Sequence, residues 1–250
     1  ITTGTDNTII GALAGDAITT GSDNVAVGRS ALSASTTAAN NTAVGRGALG
    51  ANTTGTFNTA SGRQALLSNT TGNNNVAVGG NALYQITTAS DNTAVGAYAL
   101  DADTLGSRST AVGTAALSTQ NFTSATDTYN VAVGYDAGKT NTTGIKNTLI
   151  GSFSGDANTT GSQNTGVGIY SLSGNTVGDY NTAVGRRALL TNTGSDNNTA
   201  IGANALYTFN VASGDGYNTA VGKNAGFAIT TGVTNTLIGG LCHDNLTTGD

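Results

Sequence analysis

The chain has 250 residues, with 9 Lys and Arg against 14 acidic residues and a net charge of −5. Charged residues make up 9% of it, against about 25% in ordinary soluble domains, which argues against a nucleic-acid groove or a basic membrane-binding surface. The longest apolar run, 97–100, has four residues, whereas a membrane-spanning helix needs about 20, so no membrane insertion is expected.

One pentapeptide, Asn-Thr-Ala-Val-Gly, recurs along the whole chain. Its first residue, called position 0, falls at Asn7, Asn24, Asn41, Asn58, Asn75, Asn92, Ser109, Asn130, Asn147, Asn164, Asn181, Asn198, Asn218 and Asn235. Every spacing is 17 residues except 21 after Ser109 and 20 after Asn198. A period near 20 predicts stacked units, each of which buries its apolar face only against its neighbours.

Each repeat begins with a short strand. Position +1 is Thr or Val in every repeat, and position +3 is Val or Ile in all but one, which has Ser61. Side chains two residues apart share one face of a strand, so both columns are expected to fill the interior. Position +2 is mostly Ala and would then face outward. That face is either simply exposed Ala or a surface that packs against identical faces in a symmetric oligomer, which we favour.

A glycine at position +4 closes the strand in all fourteen repeats. An obligatory Gly there indicates a positive φ, or a corner too crowded for a Cβ. Position +7 is small and position +8 is often Leu, as in Ala48-Leu49, and we expect a second short strand to begin there. Thr at position +12, followed by Gly with Asn or Asp, completes the turn.

These columns predict an all-β chain: a parallel β-solenoid, or β-roll, of about 14 coils. We expect one repeat domain over 1–250, with insertions near 118–129 and 207–217. Asparagines at one corner can pass amide hydrogen bonds from coil to coil as a structural ladder. The predicted ladder residues are Asn24, Asn41, Asn58, Asn75, Asn92, Asn130, Asn147, Asn164, Asn181, Asn198, Asn218 and Asn235.

The motif Asn-Thr-Ala-Val-Gly-x-x-Ala-Leu, as in 41–49 and 181–189, resembles the head repeats of YadA-like trimeric autotransporter adhesins and similar repeats in bacteriophage tail fibres. The resemblance covers essentially the whole chain. It implies a left-handed β-roll, a homotrimer and an extracellular role as a virion fibre or cell-surface adhesin. The implied partners are further copies of the chain and a glycan or protein receptor on the host surface.

Two groups of residues are candidate receptor contacts. Arg29, Arg46 and Arg63 follow the turn Gly in three successive repeats, which predicts a row of guanidinium groups about 5 Å apart. This row is either a solvated surface or a site for an anionic ligand. The insertions hold five aromatic residues, which either bind sugar rings or cover local gaps in the stack. They are Phe122, Tyr129, Tyr207, Phe209 and Tyr217.

Little in the sequence points to catalysis. Glu is absent, and the aspartates lie mainly at turn positions, so no carboxylate pair or metal cage is predicted, and no cofactor. Cys242 and His243 are neighbours, and on a strand their side chains would point to opposite faces. We therefore expect a non-catalytic fibrous module. An ice-binding solenoid and a carbohydrate-cleaving solenoid of the tailspike kind remain the alternatives.

Overall fold

The computed structural model describes residues 1–245, and these contain strands and turns but no helix. The predicted fold class is confirmed at this level: the chain is a parallel β-solenoid of about fourteen turns with a repeat of about 17 residues. It forms two compact units, Ile1–Thr128 and Tyr129–Asp250. The boundary lies inside the first predicted insertion, 118–129.

Each turn of the first unit contributes one three-residue strand to a parallel sheet. The strands are β1 Thr8–Ile10, β2 Val25–Val27, β3 Thr42–Val44, β4 Thr59–Ser61, β5 Val76–Val78, β6 Thr93–Val95 and β8 Thr110–Val112. Corresponding repeat positions pair, as Val76 with Thr93, so the register follows the repeat. A separate two-stranded pair joins β7 Gly106–Ser107 to β9 Thr126–Asp127 beside the insertion.

The second unit repeats this arrangement. Its sheet strands are β10 Val131–Val133, β11 Thr148–Ile150, β12 Thr165–Val167, β13 Thr182–Val184, β15 Thr199–Ile201, β17 Thr219–Val221 and β18 Thr236–Ile238. The pair β14 Ser195–Asp196 and β16 Gly214–Asp215 lies beside the second insertion.

The expected inside and outside of these strands are reversed, so our prediction that the Ala face packs between copies of the chain was wrong. The Ala side chains at position +2, such as Ala77 and Ala94, are fully buried. Their neighbours at position +3 lie outside, with Val78 38% and Val95 36% exposed. The interior is narrow where the strand passes, so it accepts a methyl group there, while the bulkier β-branched side chains occupy the open face of the sheet.

The expected second strand is absent. In the turn that follows Gly28, Ser30 and Leu32 have φ values of 57° and 53°, which breaks the extended conformation. The backbone still hydrogen-bonds to both neighbouring turns, since Ser30 N–H donates to Ala12 and Leu32 N–H to Ala48. The Leu side chain is buried by this left-handed conformation, and its burial offsets the backbone strain.

Both predicted reasons for a glycine at position +4 hold: the backbone has a positive φ there, and the corner is too crowded for a Cβ. All fourteen glycines at position +4 have φ between 127° and 146°. A Cβ on Gly28 would lie 2.7 Å from the carbonyl oxygen of Gly45 in the next turn. No other residue type can therefore occupy this corner without moving the backbone.

Candidate functional site

The asparagines at position 0 form a hydrogen-bonded column through each unit. Asn58 Nδ2 donates to the Gly72 carbonyl at 2.8 Å, and Asn58 N–H donates to Asn41 Oδ1 at 3.0 Å. The same two contacts recur at Asn147, Asn164 and Asn181. Each amide thus joins its own turn to both neighbours, which makes this column a structural element.

A second polar column lies in the interior at position +11 and was not predicted. It contains Asn52 and Asn69 in one unit and Asn141, Asn158, Asn175 and Asn192 in the other, all buried. Asn69 Nδ2 donates to Asn52 Oδ1 at 2.9 Å, and Asn52 Nδ2 donates to the Gly55 carbonyl at 2.9 Å. Its signal in the sequence is the Asn that precedes Thr-Thr-Gly. Because Asn-Thr-Thr-Gly is equally typical of an exposed turn, this signal did not indicate a buried side chain.

The threonines at position +12 form a third column beside it. Thr53 Oγ1 donates to the Thr70 carbonyl at 2.9 Å, and Thr70 Oγ1 donates to the Thr87 carbonyl at 3.0 Å. Each hydroxyl donates its hydrogen bond to the next turn, so these threonines help to hold the stack together.

A buried polar cluster occupies the place where Ser109 replaces Asn. Gln120 Nε2 donates to Asp103 Oδ2 at 2.6 Å and to Ser109 Oγ at 3.0 Å, while Ser109 Oγ also contacts Thr128 Oγ1. Gly106 N–H donates to Asp103 Oδ1 at 3.0 Å. Burial raises the pKa of the Asp103 carboxyl, although these hydrogen bonds oppose the rise. The cluster closes the interior beside the first insertion.

The outward face of each unit consists of the side chains at positions +1 and +3 of its sheet strands. Only Thr, Val, Ile and one Ser occupy these positions, so the face carries no charge. Ile150 and Ile201 are each 39% exposed, and Val44 is 38% exposed. A regular, uncharged, half-exposed row of β-branched side chains is a candidate interaction surface.

The three arginines of the predicted row are exposed and lie in successive turns of the first unit. Gly47 N–H donates to the Arg29 carbonyl at 3.0 Å, and Gln64 N–H donates to the Arg46 carbonyl at 2.9 Å, which fixes the turns side by side. A cleft of about 190 Å³ lies among Arg29, Ser30, Arg46, Gly47, Gln64 and Leu67. Arg63 belongs to the same column but does not line the cleft.

The five insertion aromatics do not form one site. Phe122 is 7% exposed and Phe209 is fully buried at position +11, so both side chains belong to the core and are not available to a receptor. Tyr207 stacks on Phe227 with ring centroids 4.9 Å apart. Tyr129 and Tyr217 are 49% and 56% exposed and remain accessible.

An aromatic column missed by the sequence analysis lies in the second unit. The rings of Tyr135 and Phe153 meet edge to face at 5.4 Å, and Phe153 stacks on Tyr170 at 5.0 Å. The Arg187 guanidinium lies 6.0 Å from the Tyr170 ring centroid. Stacked rings cover one another's faces, so this column stabilises the turns and leaves little ring face for a sugar.

The titratable groups give no complete catalytic constellation within residues 1–245. Cys242 Sγ lies 3.4 Å from His243 Nδ1, so our prediction that these side chains point apart was wrong, because the pair lies in a turn and not a strand. Lys139 Nζ pairs with Asp136 Oδ2 at 3.0 Å. Burial, with a contribution from the Asp136 charge, raises the pKa of Asp156. No group of three metal-ligating side chains occurs in this part of the chain.

Comparison of the chain with protein-family models, curated proteins and solved structures finds no match in any of the three. Within the described residues, no helix has the length and apolar character that crossing a membrane would require.

Proposed function

We propose that the chain is a non-catalytic structural and adhesive module that forms part of a homotrimeric extracellular fibre, on a virion or a cell surface. The outward face is the observation that carries this proposal. Covering a water-exposed row of Val and Ile side chains lowers the free energy by about 25 cal/mol per Å² of apolar surface removed from water.

A second and a third copy of the same chain suit this face better than an unrelated partner. The face has no charge with which to select a charged surface, and its spacing repeats with every turn. Identical copies have the same spacing, so their side chains can interdigitate turn by turn. Each unit supplies fourteen outward positions that can meet the same positions of another copy.

The adhesive part of the proposal follows from this arrangement. The ladders give each unit a rigid, repetitive scaffold, and three copies would present every weak contact three times. Linked weak sites can exceed the affinity of one site by about 10²–10⁴. Left-handed winding belongs to the same proposal and is supported by the resemblance of the repeat to adhesin heads.

Light scattering on the full 250-residue chain tests the assembly. We expect 3 × 24.5 kDa = 73.5 kDa. Val78→Lys with Val95→Lys places two charges on adjacent turns of the outward face and should give 24.5 kDa with an unchanged far-ultraviolet circular dichroism spectrum. The matched control, Thr54→Lys with Thr71→Lys, adds the same charges to exposed positions elsewhere and should stay trimeric. A parent mass of 24.5 kDa would overturn the proposal.

Ice binding is a second candidate, favoured by the Thr column on the outward face. Position +1 is Thr in eleven of fourteen turns, and each Thr lies beside a Val, Ile or Ser at position +3. Hydroxyl and methyl groups at strand spacing form a regular surface that could hold ordered water. An assembly would cover this face, so a monomeric chain with thermal hysteresis that Thr93→Tyr abolishes would favour ice binding over the fibre.

A further inference from the structure

The arginine row has an unusual electrostatic environment. Arg29, Arg46 and Arg63 occupy one column in three successive turns, about 4.8 Å apart along the stack. Ion pairs in the described residues involve only Arg108 and Lys139, so none of the three guanidinium groups has an acidic partner. Three unpaired positive charges on a chain of net charge −5 create a local field that favours an anion.

Two glycines lie in the turn beside this row, and one of them, Gly47, lines the cleft. Gly47 and Gly50 lack the side chains that other turns carry at the same positions, such as Gln64 and Leu67. A Cβ on Gly50 would lie 3.0 Å from Leu67 Cδ1, so the Leu67 side chain lies against the space that a larger residue would fill.

The lining combines three kinds of contact. Arg29 and Arg46 offer planar guanidinium forks, which pair with carboxylate or sulfate groups through two parallel hydrogen bonds. Ser30 and Gln64 offer a hydroxyl and an amide that make no side-chain hydrogen bond within residues 1–245. Leu67 supplies an apolar wall. An anion beside polar donors and an apolar surface is the chemistry of an acidic sugar.

We propose that this cleft, which we call the arginine cleft, binds an acidic saccharide through its carboxylate or sulfate group. Arg29 and Arg46 hold the anion, Ser30 and Gln64 meet ring hydroxyls, and Leu67 packs against ring C–H groups. Arg63 extends the positive row toward a second anionic unit of the same ligand. The inference deepens the receptor contact of the proposed function and does not depend on the trimer.

Isothermal titration calorimetry on the full chain tests it with four probes: a sulfated hexasaccharide, its desulfated counterpart, a hexasaccharide of uronic acids and inorganic sulfate. We expect one or both acidic saccharides to bind, more weakly as salt rises, and the desulfated probe not to bind. Arg29→Gln with Arg46→Gln should weaken binding at least about tenfold.

The matched control is Arg186→Gln with Lys223→Gln. These exposed side chains belong to the same column but lie in turns that are not adjacent, and the control changes net charge equally. It should leave affinity within about twofold. Gly50→Leu keeps every charge but places a side chain against Leu67 and Gly47, two residues that line the cleft, and should also weaken binding.

Failure of both acidic saccharides to bind, or equal weakening by the control pair, would overturn the inference. So would binding of inorganic sulfate only, or unchanged affinity in both the double Arg variant and Gly50→Leu. The light-scattering mass is a separate readout. A trimer that binds no saccharide would overturn only this inference, and a monomer that binds one would overturn only the proposed assembly.

Discussion

Asn58 Oδ1 accepts two hydrogen bonds from Asn75 of the next turn, one from its backbone N–H at 3.0 Å and one from its side-chain Nδ2 at 3.2 Å. Asn75 in turn donates to the Ala89 carbonyl at 2.9 Å and accepts from Asn92 N–H at 3.0 Å. One buried side chain therefore satisfies polar groups in three turns, where water cannot replace it.

Asn75→Ala should lower the free energy of unfolding by about 2–4 kcal/mol, because the Ala89 carbonyl and the Asn92 N–H lose buried partners. Chemical denaturation measures the loss. Thr54→Ala removes an exposed side chain and should change stability by less than about 0.5 kcal/mol. Equal effects of the two variants would show that the Asn column is not a main source of stability.

Gly28→Ala should destabilise the chain by about 2–4 kcal/mol or prevent folding. Its φ of +128° disfavours any Cβ, and the added Cβ would lie 2.7 Å from the Gly45 carbonyl oxygen. Gly80→Ala is the control, since nothing lies within 4 Å of a Cβ there and its backbone is not left-handed. A thermal unfolding midpoint that Gly28→Ala leaves unchanged would contradict the crowded corner.

The acid dependence of stability can be tested at Asp103. Because burial raises its pKa in the folded state, ionisation disfavours folding. The sign is therefore opposite to that of a salt-bridged Asp: stability contributed by this group rises as pH falls through the raised pKa toward the ordinary one, and is lost above it.

Asp103→Asn should remove this pH dependence because an amide does not ionise, although its Nδ2 cannot accept the hydrogen bond that Gln120 Nε2 donates to Asp103 Oδ2. Position +11 already accommodates Asn in six other turns: in five of them Nδ2 donates to the carbonyl of the Gly three residues later, and Asn192 Nδ2 donates to the Ser195 carbonyl. Asp23→Asn makes the same change of charge at an exposed site and should be neutral. Denaturation at pH 4 to 8 gives both profiles; a pH dependence that Asp103→Asn leaves unchanged would refute the role assigned to this carboxyl.

The repeat predicted the solenoid because period, obligatory glycines and strand residues all depend on contacts between equivalent positions. The orientation of the strand was predicted wrongly, since alternation shows which residues share a face but not which face is buried. Val78 has the more apolar side chain and Ala77 the buried one. The left-handed backbone of Leu32 was equally hidden, because Leu rarely adopts positive φ and its sequence gives no signal for it.

The candidate site was predicted in part for similar reasons. The 17-residue spacing placed Arg29, Arg46 and Arg63 in one column, but the cleft also needs Gly47, Gln64 and Leu67, which that spacing does not indicate. Aromatic residues in an insertion suggested exposure, yet Phe209 falls in the interior column at position +11. A repeat count that carried each column through the insertions would have placed it there.

Two positions of the repeat, +2 and +8, change residue type together, and this covariation indicates that both side chains lie in the interior. Where position +2 is large, position +8 of the same or the preceding turn is Gly and not Leu. A Cβ on Gly15 would lie 2.8 Å from Ile9 Cδ1, and a Cβ on Gly155 would lie 2.6 Å from Leu149 Cδ2. The two positions therefore share one buried space of fixed volume.

This shared space predicts a rescue. Ala94→Leu should overfill the turn and destabilise it by about 1–3 kcal/mol, and Leu100→Gly should leave a cavity that costs about 2–5 kcal/mol. The double variant reproduces the Leu149 and Gly155 arrangement, and Gly suits the φ of 50° at position 100. We expect a coupling energy of at least about 2 kcal/mol in a double-mutant cycle measured by denaturation.

The control cycle uses the outward neighbour, Thr93→Leu with Leu100→Gly. Thr93 lies on the opposite face of the strand, so these two changes should add with a coupling below about 0.5 kcal/mol. Coupling at Thr93 and none at Ala94 would restore the original assignment, in which positions +1 and +3 fill the interior. It would also remove the outward face on which the proposed assembly depends, because the exposed row would then be Ala.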